Sequence, residues 1–250
     1  MKLGIIQGRL LPPTEGFQEC PIDWKKEFSI LKELNLNHIE WIVTSKYFGV
    51  NPIFFEDVSQ HPIFAICADN LVSKKIIDKN YLENNLTPIC DAATRNNIKN
   101  VTVPLLEKSS MEKKETREKF CVLIKEYAEL YPEINFLFEA ELDALSLLEI
   151  VSLADNFFVT YDTGNITSCG FDHEDYLSLV FDKIKNVHLK DRTFDARTVI
   201  PPSGDTNFKQ IFNFLKEKRY NGVYTLQTAR EVYGNEIETI KAHRRTLEGI

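Results

Sequence analysis

The sequence predicts an α/β protein that folds as one single-domain (β/α)8 barrel over residues 1–250. Two observations predict this class. Short runs rich in β-branched residues alternate with longer stretches of helical periodicity, and eight such pairs in about 250 residues is the usual size of this barrel. The alternative is an open doubly wound sheet, which commonly has a glycine-rich phosphate turn after its first strand. Here the first strand continues as Gln7-Gly8-Arg9-Leu10, which is no such turn.

Each element is predicted from local pattern. The predicted strands are Leu3–Gln7, His38–Ile42, Ile63–Cys67, Asn100–Val103, Ile134–Phe138, Phe157–Tyr161, Asn186–Leu189 and Val223–Leu226. The predicted helices are Trp24–Leu34, Met111–Leu130, Asp143–Leu153, Glu174–Phe181, Phe208–Lys218 and Ile237–Leu247, in which apolar residues recur three or four positions apart. Asp23 and Asp172 stand where a side-chain oxygen caps a helix, and Gly222 where a left-handed turn can end one.

Composition restricts the partners. The net charge of −7 argues against a nucleic-acid partner, since phosphate backbones are bound by basic surfaces. The sequence contains no apolar run of about 20 residues, so no membrane partner is expected. The five cysteines are widely spaced and form no Cys-x-x-Cys pair, which favours reduced thiols and a cytoplasmic location. We expect a small-molecule carbohydrate substrate and leave a homo-oligomer open.

Four polar residues fall at or near the ends of the last four predicted strands. Side chains alternate between the two faces of a strand, and the large apolar residues here mostly take the helix-covered face. The inward face then carries Glu139, Asp162, His188 and Gln227. Barrel enzymes place their chemistry at the C-terminal ends of the strands. Two carboxylates, an imidazole and an amide oxygen predict one divalent metal ion, with Mn²⁺, Mg²⁺ or Co²⁺ favoured and Zn²⁺ also compatible.

At these residues the sequence resembles the xylose isomerase-like TIM-barrel superfamily, in its sugar phosphate isomerase/epimerase branch. The segments Tyr161-Asp162-Thr163-Gly164-Asn165 and Val187-His188-Leu189-Lys190-Asp191-Arg192 carry the most specific part of the resemblance. The resemblance implies a divalent metal held by Glu139, Asp162, His188 and the strand-eight residue. It also implies isomerisation or epimerisation of a sugar or sugar phosphate, by proton transfer next to a carbonyl through a metal-stabilised enediolate.

The chain departs from this pattern at two positions. The usual strand-eight glutamate is Gln227, and a histidine often found three residues after the strand-six aspartate is Asn165. An amide oxygen can ligate a metal, but it cannot accept a proton. Glu139 is therefore our first choice as catalytic base, with Glu141 in reserve if the strand continues two residues. Lys190 is the third catalytic candidate, to polarise an oxygen or bind phosphate.

Substrate-binding residues are predicted on the rim of the barrel. The candidates are Gln7, Arg9, Glu40, Asp69, Arg192 and Arg230, and the loop Pro201–Asn207 offers backbone N–H groups to a phosphate. Two other functions stay open at this point. One is a metal- or sugar-binding barrel that lost turnover with the strand-eight acid. The other is an endonuclease-type metal phosphodiesterase, which the acidic charge and the single well-placed histidine disfavour.

Overall fold

The computed structural model describes residues 1–14 and 19–250 and confirms the predicted fold class. Eight parallel strands of this described chain close into a barrel in the order β1-β10-β7-β6-β5-β4-β3-β2. The strands are β1 Lys2–Ile6, β2 Ile39–Ile42, β3 Ile63–Cys67, β4 Asn100–Leu105, β5 Asn135–Ala140, β6 Phe157–Asp162, β7 Ile184–Leu189 and β10 Val223–Leu226. Two short strands, β8 Asp191–Arg192 and β9 Thr198–Val199, form a separate antiparallel ribbon above β7.

Helices surround the barrel. They are α1 Trp24–Glu33, α2 Lys79–Asn85, α3 Thr87–Arg95, α4 Lys114–Leu130, α5 Ala144–Val151, α6 Thr163–Ser168, α7 His173–Val180, α8 Phe208–Glu217 and α9 Glu236–Glu248. The six predicted helices are α1, α4, α5, α7, α8 and α9. The sequence reading missed α2 and α3, which lie between β3 and β4, and the one-and-a-half-turn α6. No helix of the described residues is long and apolar enough to cross a bilayer.

The predicted helix ends have mixed outcomes. Asp172 caps α7 by accepting the backbone N–H groups of Glu174 and Asp175, as predicted. Asp23 precedes α1 but makes no capping hydrogen bond, because its carboxylate pairs with Lys26 instead. The expectation for Gly222 is wrong. Arg219 takes the left-handed conformation after α8, with φ of 56°, so the chain has already turned three residues earlier.

Alternation along each strand separates the core from the barrel interior. Phe136 and Phe138 of β5 face outward, where both pack edge-on against Phe157 and Phe138 also meets Phe120 of α4. Glu139 takes the opposite face and points inward. The helices thus cover an aromatic layer outside the strands, while the interior toward the C-terminal end is lined by polar groups. Polar side chains therefore lie inside the barrel, and those at the strand ends can form a reactive site at its mouth.

Candidate metal centre and active site

Three buried side chains converge at the C-terminal ends of β5, β6 and β7. His188 Nδ1 lies 3.6 Å from Glu139 Oε2 and 3.8 Å from Asp162 Oδ2. Among the described residues these three form a group whose candidate ligand atoms all lie within 4.8 Å of one another. The register explains the convergence, because Asp162 pairs with His188 across β6 and β7 and both point inward.

His188 is held from below by a carboxylate. Its Nε2 is 2.7 Å from Oε2 of Glu40, which is fully buried inside the barrel. Glu40 also accepts hydrogen bonds from Asn186 Nδ2 at 2.9 Å and from Thr102 Oγ1 at 2.5 Å. These contacts occupy both carboxylate oxygens and fix the imidazole ring. The remaining nitrogen, Nδ1, is thereby turned toward Glu139 and Asp162. Metal-binding histidines are commonly oriented by a carboxylate in this way.

The ionisation of the cluster follows from its charges. Burial disfavours the imidazolium, but the Glu40 and Glu139 carboxylates outweigh it and hold the pKa of His188 well above its usual value. Burial likewise opposes the charge of Asp162. The Lys190 ammonium and His188 overcome this and hold the pKa of Asp162 below its usual range. For Glu40, burial is again outweighed by His188, and its pKa is lowered. Positive charge is therefore stabilised where the three donor atoms meet.

The cluster fits a divalent cation on its own geometry. His188 Nδ1 is buried and has no hydrogen-bond partner among the described residues, although such groups are nearly always partnered. Ligands about 2.1 Å from a common ion lie up to about 4.2 Å apart, which the distances of 3.6 Å and 3.8 Å satisfy. Two carboxylate oxygens and one imidazole nitrogen are donors that Mn²⁺, Co²⁺ and Zn²⁺ accept. The described residues thus hold a group able to bind a divalent metal.

Lys190 lies between the cluster and Gln227. Its Nζ donates to Asp162 Oδ2 at 3.3 Å and to Gln227 Oε1 at 3.2 Å. The side chain is 9% exposed, so this ammonium is almost fully withdrawn from water. Lys190 thus engages the amide oxygen that we predicted as the fourth ligand. Gln227 as a ligand stays a prediction.

Helix α6 positions two of the acidic groups. Asp162 caps α6 by accepting the N–H of Asn165 at 2.8 Å. The same carboxylate therefore caps the helix and belongs to the group of three candidate metal ligands. Asn165 Nδ2 in turn donates to Glu139 Oε1 at 2.9 Å. This leaves Glu139 Oε2 as the oxygen that faces His188. The hydroxyl of Thr163 bonds the backbone of Lys190 on both its N–H and its carbonyl, which fixes the lysine stem.

A polar cavity of about 280 Å³ opens above the cluster. Its walls include the predicted residues Glu139, Lys190, Gln227, Asp69 and Arg192. The structure therefore brings these five together at one mouth, with Cys67, Leu106 and Glu107 completing the side toward β3 and β4.

Other predicted residues lie elsewhere. Glu40 was expected on the rim and is instead inside the barrel beneath His188. Gln7 is fully buried and its Oε1 accepts the N–H of Ile42. Arg9 is also buried, with Nε 3.3 Å from the carbonyl of Thr228, and burial lowers its pKa to about 9. Arg230 donates to the carbonyls of Gly8 and Leu11. Their contacts with substrate stay predictions.

Glu141 does not continue the strand as its proposed role required. Strand β5 ends at Ala140, and the Glu141 carboxylate turns to Arg192, whose Nη1 lies 3.0 Å from Oε1. Sequence reasoning also missed the functions of Asn186 and Thr102, which hold Glu40. Alternation along β2 and β7 contained the signal for Asn186, because it places Glu40 and Asn186 on the inward face with His188.

The comparisons with known proteins agree with this architecture. A family model described as the xylose isomerase-like TIM barrel matches residues 84–249. The chain belongs to this family. An inosose dehydratase from Clostridium tetani is 29% identical to this chain over 111 residues, which cover 36% of this chain and 37% of that protein. The match thus spans little more than a third of that relative's length.

Solved structures share the xylose isomerase-like fold over the full barrel. The IolI protein, crystallised with a bound zinc atom, superposes with a TM-score of 0.75 at 17% identity and covers 99% of this chain and 98% of its own. The probable 3-DHS dehydratase AsbF from Bacillus anthracis gives 0.72 at 15% identity, with 99% of both chains covered. A D-psicose 3-epimerase from Clostridium cellulolyticum H10, solved with D-tagatose, gives 0.67 at 14%, covering 100% and 92%.

Proposed function

We propose that this protein is a divalent-metal-dependent isomerase or epimerase that moves a proton next to the carbonyl of a carbohydrate. The observation that carries the proposal is the buried group of Glu139, Asp162 and His188 beneath a polar cavity. The zinc atom in the IolI structure and the epimerases and dehydratases among the similar proteins support it.

In this proposal the three residues of the group hold the metal, with Gln227 as the fourth candidate ligand. The metal supplies Lewis-acid stabilisation of the negative charge that develops on the substrate's carbonyl oxygen. His188 is kept in position by Glu40, so its Nδ1 stays available as a donor atom. His188 would have to give up the proton that its raised pKa retains before Nδ1 could hold the metal.

Glu139 is the proposed base. Asn165 holds Oε1 at 2.9 Å, which leaves Oε2 facing the cavity and the cluster. Abstraction by a positioned carboxylate typically contributes about 10²–10⁴-fold. Gln227 cannot accept a proton, so the exchange of protons between two glutamates on opposite sides of the substrate is not available here. One base, Glu139, then removes the proton. It can return the proton to the neighbouring carbon in an isomerisation, whereas inversion at one carbon needs an acid on the opposite face of the substrate, for which Lys190 is the candidate.

Dehydration is the second candidate reaction, and the observation that favours it is Lys190. Its ammonium is nearly buried at the cavity wall beside Gln227, where it can donate a proton to a leaving hydroxyl group. Glu139 would remove the α-proton in the same geometry. The partial match to an inosose dehydratase adds weight to this second candidate.

One experiment tests both reactions. Protein purified without added metal is analysed for bound metals, then incubated in deuterated water with a panel of ketoses and keto-inositols and followed by NMR. Solvent deuterium in an intact or epimerised sugar supports isomerisation or epimerisation. Loss of one water, read by mass spectrometry, supports dehydration. No exchange with any substrate in the presence of Mn²⁺, Co²⁺, Mg²⁺ or Zn²⁺, together with no bound metal, overturns the proposal.

A further inference from the structure

His38 is a buried histidine at the opposite end of the barrel from the candidate metal centre. It directly precedes β2, so it lies where the strands begin. Its side chain takes the same face of β2 as Glu40, two residues later. The ring reaches across the interior, and His38 Nε2 lies 3.0 Å from Thr225 Oγ1 of β10. His38 therefore contacts a strand that does not neighbour its own.

Gly4 is what allows the His38 side chain to cross β1. Strand β1 lies between β2 and β10 in the barrel, and Gly4 pairs with Thr225 in the register of β1 and β10. A Cβ atom at position 4 would lie 2.3 Å from His38 Nε2, which is closer than real atoms approach. The contact between His38 and Thr225 therefore depends on the glycine, and it is built into the fold.

Hydrogen bonds continue from Thr225 to the candidate metal centre. The Thr225 hydroxyl donates to Asn186 Oδ1 at 2.8 Å, and Asn186 Nδ2 donates to Glu40 Oε2 at 2.9 Å. The same Glu40 oxygen lies 2.7 Å from His188 Nε2. All of these groups are buried. We call the five side chains the interior path, which runs through His38, Thr225, Asn186, Glu40 and His188.

Each link of the interior path has one direction. Thr225 has a single hydroxyl proton, which goes to Asn186, so its oxygen accepts from His38 Nε2–H. Burial lowers the pKa of His38 to about 4, so the ring is neutral at neutral pH and carries only this one N–H. Asn186 then presents its oxygen to Thr225 and its amide N–H to Glu40. All donors along the path point toward the Glu40 carboxylate.

The path holds the Glu40 oxygen that faces His188. Thr102 bonds Oε1 of Glu40, whereas Asn186 and His188 share Oε2. Without the Thr225 hydroxyl, Asn186 Oδ1 would be buried without this donor, which costs free energy and favours movement of the amide. An amide that moves withdraws a donor from Oε2, so the contact that orients the imidazole of His188 is loosened.

We infer that His38 and Thr225 are positioning residues of the metal centre, which act through Asn186 and Glu40 on the orientation of His188. This rests on the proposed function, in which His188 Nδ1 binds a divalent metal. It assigns a part in metal binding to a residue at the end of the barrel opposite the cavity. Partners behind a metal-binding histidine commonly determine its affinity for the metal.

The test measures the Mn²⁺ affinity of matched variants by isothermal titration calorimetry. Thr225→Val removes the hydroxyl and keeps the shape, whereas Thr225→Ser keeps the hydroxyl and removes a methyl group. Thr160→Val is the control, because the Thr160 hydroxyl is also buried but has no hydrogen-bond partner among the described residues. We expect Thr225→Val and His38→Leu to raise the Mn²⁺ Kd about three- to tenfold, and Thr225→Ser and Thr160→Val less than about twofold.

A second measurement reports on His188 itself. In Zn²⁺-loaded protein with ¹⁵N-labelled histidine, long-range ¹H–¹⁵N NMR spectra identify the protonated ring nitrogen, and its exchange with solvent reports the bond to Glu40. We expect the Nε2–H of His188 to exchange at least about threefold faster in Thr225→Val than in Thr225→Ser. A purely structural role of Thr225 would change the temperature of unfolding and leave this exchange rate unaltered.

The outcomes separate the interior path from the reaction. Equal Mn²⁺ Kd values for Thr225→Val and Thr225→Ser overturn the path and leave the metal centre standing. A His38→Leu protein that folds and binds Mn²⁺ like the wild type overturns the assignment of His38. A Kd that depends on the Thr225 hydroxyl, without deuterium exchange into any ketose or keto-inositol, supports the path and overturns the proposed reaction instead. A wild-type protein that binds no divalent metal overturns both.

Discussion

The contact between Glu40 and His188 gives the sharpest test of the metal centre. The substitution Glu40→Gln keeps the size of the side chain and removes its charge. In the wild-type protein, Oε2 accepts from both His188 and Asn186, and Oε1 accepts from Thr102. A glutamine can keep an oxygen toward His188 if the Thr102 hydroxyl rotates to accept from the new amide. The fold is then preserved, while the imidazole becomes a weaker donor.

The expected loss of metal affinity follows from removing the Glu40 carboxylate behind His188. Loss of a carboxylate behind a metal-binding histidine typically weakens metal affinity about 10- to 100-fold. At a metal concentration about 100 times the wild-type Kd, the metal stabilises the wild-type protein by about 2.7 kcal/mol. A 30-fold weaker variant gains only about 0.9 kcal/mol at the same concentration. For a chain of this size, the metal-induced rise in Tm then falls from about 5–10 °C to about 2–3 °C.

The assay is calorimetric titration with Mn²⁺, supported by thermal unfolding with and without metal. Glu27→Gln is the matched control, because Glu27 is another fully buried glutamate and bonds only the Gly8 and Leu10 N–H groups among the contacts described. Thr102→Val removes one bond to Glu40 without changing charge and should cost less than about threefold in Kd. A Glu40→Gln protein that folds and binds Mn²⁺ as tightly as the wild type refutes the orienting role.

Three further predictions address the same site. His188→Ala should lose bound metal and turnover together, and full metal content measured by elemental analysis would contradict the assigned donor. Mn²⁺ affinity should rise with pH by up to about tenfold per pH unit below the raised pKa of His188, because metal binding displaces the proton of the imidazolium. Without metal, the imidazolium contributes its full share to the free energy of unfolding below about pH 6.5. This contribution is lost as the pH rises through the raised pKa. Asn165→Ala should lower kcat about tenfold and change the Mn²⁺ Kd little, since it releases Glu139 Oε1 rather than a metal donor; an unchanged kcat would count against Glu139 as the held base.

The fold was predictable because its signals are local and repeated. The strands at Ile63–Cys67 and Val223–Leu226 agree with the structure at both ends, and the alternation of Phe136, Phe138 and Glu139 already separates the two faces of β5. The missed helices α2 and α3 are short, and Pro88 at the start of α3 reads as a break between elements although it is well tolerated in a first helical turn.

The sequence predicts which residues form the candidate metal site, but it predicts their positions relative to one another less well. Strand ends identify Glu139, Asp162 and His188, since all parallel strands finish at one face of the barrel. Depth along the barrel axis is not visible in sequence, so Glu40 was placed on the rim. It is instead the second residue of β2, fully buried inside the barrel with its carboxylate against His188 Nε2.

The arrangement of Lys190 with Gln227 gives a chemical meaning to the glutamine that follows β10, where the family pattern has a glutamate. A glutamate there would form an ion pair with the ammonium 3.2 Å away and would add a second proton acceptor across the cavity. The amide instead leaves the Lys190 charge paired with Asp162 alone, so a cation and the single base Glu139 line the same cavity. An epimerase that delivers the proton to the opposite face of the substrate needs an acid there, and the Lys190 ammonium, which lines the cavity beside Gln227, is the acid we propose. The same acid–base pair also suits elimination of water, so the two proposed reactions differ in the group that receives the lysine's proton: the substrate carbon or the leaving oxygen.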